Sequence, residues 1–194
     1  MGTTDLFVEL IVIGIGAITW IVLATFSIFG YEWAPLDQLF SVSAIIPVLS
    51  IVYIMGIITD RIADILFDAI WTPKLLRKHY SSSESAREDR RLIYSENEYL
   101  ANLLEYGRSR LRICRGWAFN AVLIVIASNF FIATQVTDNS LKTKLFIWIN
   151  LIIGFVAFYS WYSWHQLMDT QYRRVKGDAN FIRYHKDKNA QRPE

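Results

Sequence analysis

The 194-residue sequence contains a single cysteine, Cys114, and only four prolines. One cysteine excludes a disulfide within the chain and a metal site built from several cysteines. The sequence also lacks a GxxxxGK[ST] phosphate-binding loop and an HExxH zinc motif, and its three histidines are dispersed. We therefore expect a protein that is not an enzyme and that has neither a cofactor nor a resident metal ion.

Charged residues are missing from four stretches of the chain, which contain no Asp, Glu, Lys or Arg. These stretches are 10–31, 38–59, 116–137 and 145–168, and each has at least 22 residues. A helix needs about 20 apolar residues to cross a hydrocarbon core about 30 Å thick. The sequence therefore predicts an all-α integral membrane protein with four transmembrane helices.

Basic residues are concentrated on one side of this predicted topology. Of the 20 Lys and Arg residues, 11 lie between Arg61 and Arg115 and seven lie from Arg173 onward. The first connection, around residues 30–39, has no basic residue, and the third connection has two. Because basic residues favour the cytoplasmic side, we expect both termini and the central segment to be cytoplasmic.

Four segments follow from this topology. Residues 1–71 are expected to form the first transmembrane hairpin, with a cytoplasmic extension of its second helix, and residues 72–116 a cytoplasmic helical segment. Residues 117–168 are expected to form the second hairpin, and residues 169–194 a basic cytoplasmic tail. Pro73 disfavours a helical conformation at Thr72, which indicates that the second helix ends there.

The central segment is expected to be one long charged helix. Ser81 and Glu84 have the spacing of a capping box, which predicts a helix that starts there and reaches about Arg115. A seam of apolar side chains repeats every seven residues along it: Leu92, Tyr99, Tyr106 and Ile113, with Leu103 between them. Such a seam is typical of a helix that packs against another helix.

Acidic residues near the inner ends of the spans form the first candidate site. Asp60, Asp64 and Asp68 recur every four residues and therefore share one helix face. They could line a cation vestibule or hold Mg²⁺, or they could form a solvated face on which Arg61 and Asp64 pair. Glu9, the only carboxylate close to the inside of a span, could face a cavity or a partner, or extend to the membrane interface.

Three amides, Asn120, Asn129 and Asn150, are the most polar side chains predicted to lie within the spans, together with Ser128. Asn can bridge helices by hydrogen bonds, and the same amides could line a pore. With the acidic residues they make up the pore-lining candidates: Glu9, Asp60, Asp64, Asp68, Asn120, Asn129 and Asn150. On the first span, Gly14 and Gly16 allow another helix to approach closely.

Basic residues crowd the inner end of the third span and the tail. Their default roles are membrane topology and contact with anionic lipid headgroups. The alternative is a binding site for an anionic regulator such as a nucleotide or an oligonucleotide, because Arg binds phosphate through two donors at once. The candidates are Arg108, Arg110, Arg112, Arg115, Arg173, Arg174 and Lys176. The net charge is only +2, so duplex nucleic acid is not expected as a partner.

Two classes of function agree with these features. The first is a homo-oligomeric ion channel or pore, because four helices from one chain rarely enclose a water path by themselves. The second is a membrane anchor or assembly subunit that uses the apolar seam to bind a different protein. A third hypothesis, outside these two classes, is a small lipid-modifying enzyme.

The layout of four spans, a basic helical cytoplasmic segment and no catalytic motif resembles the small membrane effectors of bacterial anti-phage systems. Among these, the Hailong-type effector is the most similar in span count and in lacking an enzyme domain. The resemblance implies an ion channel of the bacterial inner membrane, a homotetramer, held closed by an oligonucleotide. It assigns no role to any individual residue, because no diagnostic motif carries it.

Overall fold

The computed structural model describes the backbone of residues 3–34 and 42–190, and the side chains of 6–34, 45–186 and 188. Every regular element within these ranges is an α-helix. In chain order the helices are α1 (Thr3–Phe29), α2 (Val42–Ile70), α3 (Thr72–His79), α4 (Ser83–Glu96), α5 (Glu98–Gln135) and α6 (Asn139–Ala190). The expected all-α class is confirmed for this part of the chain.

Four of these helices, α1, α2, α5 and α6, are long and apolar enough to cross a membrane. The number of such helices agrees with the four charge-free stretches of the sequence. Parts of two predicted segments, 35–41 in the first connection and 191–194 in the tail, lie outside the described residues.

The break between α2 and α3 lies close to the predicted one, but it falls at Trp71, and Thr72, which was expected to be non-helical, is the first residue of α3. Helix α2 ends at Ile70, and α3 begins at Thr72 with Pro73 in its first turn. Pro is tolerated there because the first turn of a helix has no partner for its N–H groups. Trp71 therefore separates the two helices, and the chain continues as the short helix α3.

The charged segment that follows differs from the expected single helix in two ways. Helix α4 is capped by Ser82, whose hydroxyl accepts a hydrogen bond from the Ser85 N–H, so the predicted capping box of Ser81 and Glu84 is wrong by one residue. The second difference is a break at Asn97. Its side-chain oxygen accepts the Leu100 N–H and starts α5 as a separate helix. Helix α5 then runs without interruption into the apolar stretch.

Helices α1 and α2 are in direct backbone contact along their apolar halves. A Cβ atom on Gly14 would overlap the carbonyl oxygen of Val52, and one on Gly56 would overlap the carbonyl oxygen of Leu10. Gly16 lies against the side chain of Asn120 of α5. The close approach expected at Gly14 and Gly16 is therefore present, and Gly56 completes it from the opposite helix.

Helices α3 and α4 pack on the second half of α6, at what we call the charged end of the molecule. Their buried apolar side chains form one cluster with residues of α2, α5 and α6: Phe67, Leu75, Tyr80, Ala86, Leu111, Ala118, Trp164 and Tyr172. Polar contacts add to it, because Lys78 Nζ donates to Asp169 Oδ1 at 2.8 Å and His79 Nε2 lies 2.9 Å from the same oxygen. The charged end is therefore a packed assembly of five helices, α2 to α6.

Tyr80 makes a further polar contact within this assembly. Its hydroxyl donates to the carboxylate of buried Asp89, which Arg183 of α6 also contacts. Burial raises the pKa of Tyr80 above its ordinary value, and the hydrogen bond to the Asp89 carboxylate raises it further.

Candidate functional site: a charged cavity

A cavity of about 350 Å³ lies at the charged end, where α2, α4, α5 and α6 meet. Its wall combines three aspartates and five arginines with Gln171, Trp164, Leu111 and Met168 of the neighbouring helices. We call it the charged cavity. The charged side chains that line it are Asp60, Arg61, Asp64, Asp68, Arg90, Arg108, Arg112 and Arg115.

Five charged side chains at this site form a continuous series of ion pairs, which we call the charge network. Arg112 Nη1 lies 3.0 Å from Glu9 Oε2, and Arg112 Nε lies 3.5 Å from Asp60 Oδ2. Arg115 Nη2 lies 2.8 Å from Asp60 Oδ1, and Arg115 Nη1 also contacts Asp64. The network therefore joins α1, α2 and α5 at the end of their apolar halves.

Most of the charge network is removed from water. The side chains of Glu9, Asp60 and Arg115 are 5%, 12% and 14% exposed, and Asp64 is 37% exposed. A buried charge is tolerated when an opposite charge and hydrogen bonds replace its hydration. The two arginines meet that condition for three carboxylates, although Glu9 Oε1 remains buried without a hydrogen-bond partner among the described residues.

The charge network combines residues that the sequence assigned to two different roles. Glu9, Asp60 and Asp64 were pore-lining candidates, whereas Arg112 and Arg115 were candidates for an anionic ligand or lipid headgroup. In the fold they are partners of one another.

The predicted pairing of Arg61 with Asp64 is replaced by a contact between helices. Asp64 pairs with Arg115 of α5, and Arg61 is exposed. Spacing along one helix identifies neighbours on that helix and carries no information about the helix packed against it.

The rest of the cavity wall has a different character. Asp68 accepts a hydrogen bond from the Thr72 hydroxyl at 2.8 Å. Arg61, Arg90 and Arg108 form no ion pair with any carboxylate of the described side chains. Nothing in the sequence marks Arg90 as part of this site, because it lies on a separate helix and only the packing of α4 brings it to the cavity.

The amide candidates lie between helices. Asn120 is fully buried, and its Nδ2 donates to the Ile13 carbonyl oxygen of α1 at 2.8 Å. Asn129 of α5 and Asn150 of α6 exchange two hydrogen bonds of 3.0 and 2.8 Å. Asn120 therefore fastens α1 to α5, and the Asn129–Asn150 pair fastens α5 to α6, with Asn150 exposed on the outer surface.

Four of the seven basic candidates lie away from the charged cavity. Arg110 and Arg174 line a separate groove between α5 and α6. Lys176 Nζ donates to the His79 carbonyl oxygen at 2.7 Å, and Arg173 is exposed on α6. Arg108, Arg112 and Arg115 line the charged cavity, so the four arginines of α5 are divided between two faces of that helix.

Several apolar surfaces are exposed on the described residues, and two of them lie on α5 and α6, the helices that run from the charged end into the apolar halves. Along the predicted seam, Tyr99 is 76% exposed and Tyr106 is 60% exposed, and the break at Asn97 separates them from Leu92. The apolar half of α6 exposes a longer surface made of Ile147, Trp148, Leu151, Ile152, Phe155, Phe158, Tyr159 and Tyr162. Apart from Leu92, the named side chains of both surfaces are at least 47% exposed among the described residues.

No family model matches the sequence, and searches of curated proteins and of solved structures find no match. A proposal for the function therefore rests on the arrangement of the residues in the fold.

Proposed function

We propose that the chain is a homo-oligomeric ion channel or pore of a cell membrane, and that its charged end controls opening through the charge network. The observation that carries this proposal is the position of the network. Glu9, Arg112, Asp60, Arg115 and Asp64 join three apolar helices at the level where these helices meet the charged end. A change in that network alters how the apolar helices are held relative to each other.

The surface of a single copy supports an oligomer. Asn150 is a polar amide exposed on the apolar half of α6, surrounded by exposed aromatic and aliphatic side chains. The amide exchanges hydrogen bonds with Asn129 of α5, and its exposed edge lies at a depth of the membrane where polar groups usually face another helix or a water-filled space. We infer that the exposed side of α6, with Asn150, faces the other copies and the water path between them.

Two uninterrupted helices support control from the charged end. Helix α5 extends over 38 residues and α6 over 52, and both run from a charged half into an apolar half. A rigid helix transmits a displacement from one half to the other, and a charge network can favour one of two arrangements at the junction.

The location and the regulation of such a channel remain predictions. The distribution of basic residues supports a cytoplasmic charged end with both termini on that side. The resemblance to anti-phage effectors supports the bacterial inner membrane, a tetramer as the first assembly to test, and an oligonucleotide regulator.

Single-channel recording of the purified protein in planar bilayers, with the mass of the solubilised assembly measured alongside, tests the proposal. We expect discrete conductance steps from a homo-oligomer. Arg115→Gln should change the open probability, because it breaks two contacts of the charge network. Arg91→Gln, which removes an exposed arginine outside the cavity, should leave it unchanged. Asn150→Leu should change the conductance of the open state.

One result would contradict the channel, and another would contradict the roles of Arg115 and Asn150. A monomeric protein that carries no current would favour the second class of function, a membrane anchor or assembly subunit. An oligomer whose currents are identical in the Arg115 and Asn150 variants would exclude the proposed roles of these residues.

The exposed seam is the observation that favours an anchor. Tyr99, Leu103 and Tyr106 offer an apolar surface on the charged half of α5, where a different protein could bind. In that case the chain should be harmless when expressed alone. It should co-purify with a defined partner, and Tyr99→Ser with Tyr106→Ser should abolish that association.

A further inference from the structure

We propose that the charged cavity is a binding site for a phosphate group. Five arginines and three aspartates line it, so its wall carries two more positive than negative side chains. The arginines come from three helices, with Arg61 on α2, Arg90 on α4 and Arg108 on α5, as well as the two that belong to the charge network. The fold therefore brings positive charges from separate parts of the chain together around the charged cavity.

Four of the five lining arginines fall into two groups with different partners. Arg112 and Arg115 are held by the carboxylates of the charge network, which neutralise them. Arg90 and Arg108 instead lie beside aromatic rings, 5.5 Å from the centre of Tyr172 and 5.9 Å from the centre of Tyr94. Contact with a ring face leaves the edge of a guanidinium group available for hydrogen bonds. Arg90 uses one donor for a hydrogen bond with the Tyr172 side chain, and the other donors of this second group can bind an anion.

Unsatisfied donors beside the cavity point in the same direction. Arg90 Nε and Arg115 Nε are buried and have no hydrogen-bond acceptor among the described residues. A buried donor without an acceptor costs free energy, more so when it is charged. These two Nε atoms are also closed to water, so an oxyanion in the cavity would stabilise the arginines through their charge and not through a bond to Nε.

The chemistry and the size of the cavity suit a phosphate group. A guanidinium group offers two parallel N–H donors that match two phosphate oxygens, which makes arginine the preferred residue for bidentate binding of phosphate. The cavity of about 350 Å³ is at the small end of the usual range for ligand sites, about 300–1,000 Å³. Gln171 adds an amide to the wall.

The phosphate could belong to a lipid headgroup or to a soluble molecule, because the cavity lies where the apolar helices meet the charged end. Two probes distinguish these sources: inorganic phosphate for the soluble one, and phosphatidic acid for the lipid. Binding is measured without any current. The result therefore does not depend on whether the protein is a channel.

The test uses the full-length protein in nanodiscs of phosphatidylcholine. Its thermal midpoint is measured with sodium phosphate against sodium chloride at equal ionic strength, and with phosphatidic acid added to the nanodisc lipid. We expect at least one probe to raise the midpoint. Arg90→Gln with Arg108→Gln should weaken the binding of that probe by about tenfold or more, as expected when charged hydrogen bonds are lost.

Arg87→Gln with Arg91→Gln is the matched control, because it removes the same charge from exposed positions on α4. It should respond as the unmodified protein does. This control separates specific binding in the cavity from non-specific attraction of anions to the protein. If the Arg90 variant does not fold, Arg108→Gln alone replaces it, because Arg108 is exposed and its loss leaves packing intact.

Each outcome decides the proposal. A midpoint that rises only with inorganic phosphate, only with phosphatidic acid, or with both supports the site and identifies its source, provided that the cavity variant loses the response and the control keeps it. Equal responses of the two double variants, or no response of the unmodified protein to either probe, would overturn it.

Discussion

Replacing Arg115 by glutamine is the most direct perturbation of the charge network. Arg115 contacts both Asp60 and Asp64, and no other described residue contacts two carboxylates of α2. Glutamine keeps part of the side-chain length and removes the charge. The variant therefore leaves two carboxylates without their nearest cation and changes the packing little.

The magnitude follows from the burial of the partners. Removing one partner of a buried ion pair costs about 3–5 kcal/mol, because the other charge stays buried and unpaired. Asp60 is 12% exposed and belongs in that class, whereas Asp64 at 37% exposed regains water. Arg112 Nε, 3.5 Å from Asp60, still offers it some compensation. We therefore expect a loss of about 3 kcal/mol in the free energy of unfolding, at the lower end of the range.

Cys114 provides the assay, because it is the only cysteine and is half-buried next to the network. Pulse labelling of its thiol during a denaturant titration gives the fraction of unfolded protein, and linear extrapolation gives the free energy. Arg91→Gln, at an exposed position, should change that value by no more than about 0.5 kcal/mol.

A double-mutant cycle decides whether the effect belongs to the pair. Asp60→Asn combined with Arg115→Gln removes both charges, so the double variant should be more stable than the sum of the two single losses predicts. We expect a coupling of about 1–3 kcal/mol. A loss below about 0.5 kcal/mol for Arg115→Gln, or additive single effects, would refute the reasoning that the network is buried and paired.

Two further predictions concern packing and titration. Gly56→Ala should destabilise the protein by about 1–3 kcal/mol or more, because the new methyl group meets the Leu10 carbonyl. Gly154→Ala should be tolerated, because its methyl group meets nothing within 4 Å. Equal thermal midpoints of the two variants would contradict the contact between α1 and α2. Tyr80 has a raised pKa when folded, so its contribution to stability is complete below about pH 10, the ordinary value, and is lost at higher pH. Stability measured from pH 8 to 11 should therefore decline less steeply in Tyr80→Phe, and identical profiles would exclude Tyr80 as the source.

The long helices could be predicted from the sequence because their signal is local. A charge-free run of 22 residues is long and apolar enough to predict a membrane-spanning helix without any information about the rest of the chain. The end of α2 at Ile70 was predictable for the same reason, since Pro73 acts on its own neighbours.

The site could not be predicted because its residues are distant in sequence. Glu9 and Arg112 are 103 positions apart, and their contact depends on how α1 packs against α5. A single sequence shows the charges without their partners, so acidic and basic residues of one network were assigned to separate roles. The start of α5 was missed for another reason. Asn97 acts there as a cap, although nothing before it marks the end of a helix.

The uninterrupted course of α6 limits how this sequence can change by insertion or deletion. The helix has 52 residues, about 78 Å at 1.5 Å per residue, with a rotation of about 100° between neighbours. One residue added after Met168 would turn the whole charged half by about 100° and carry Asp169, Tyr172 and Val175 away from α3 and α4. Loops can absorb such changes at Trp71 and Asn97, where helices are interrupted. In α6 the two halves must therefore keep a common register, and length variation is expected at the helix breaks and at the ends of the chain.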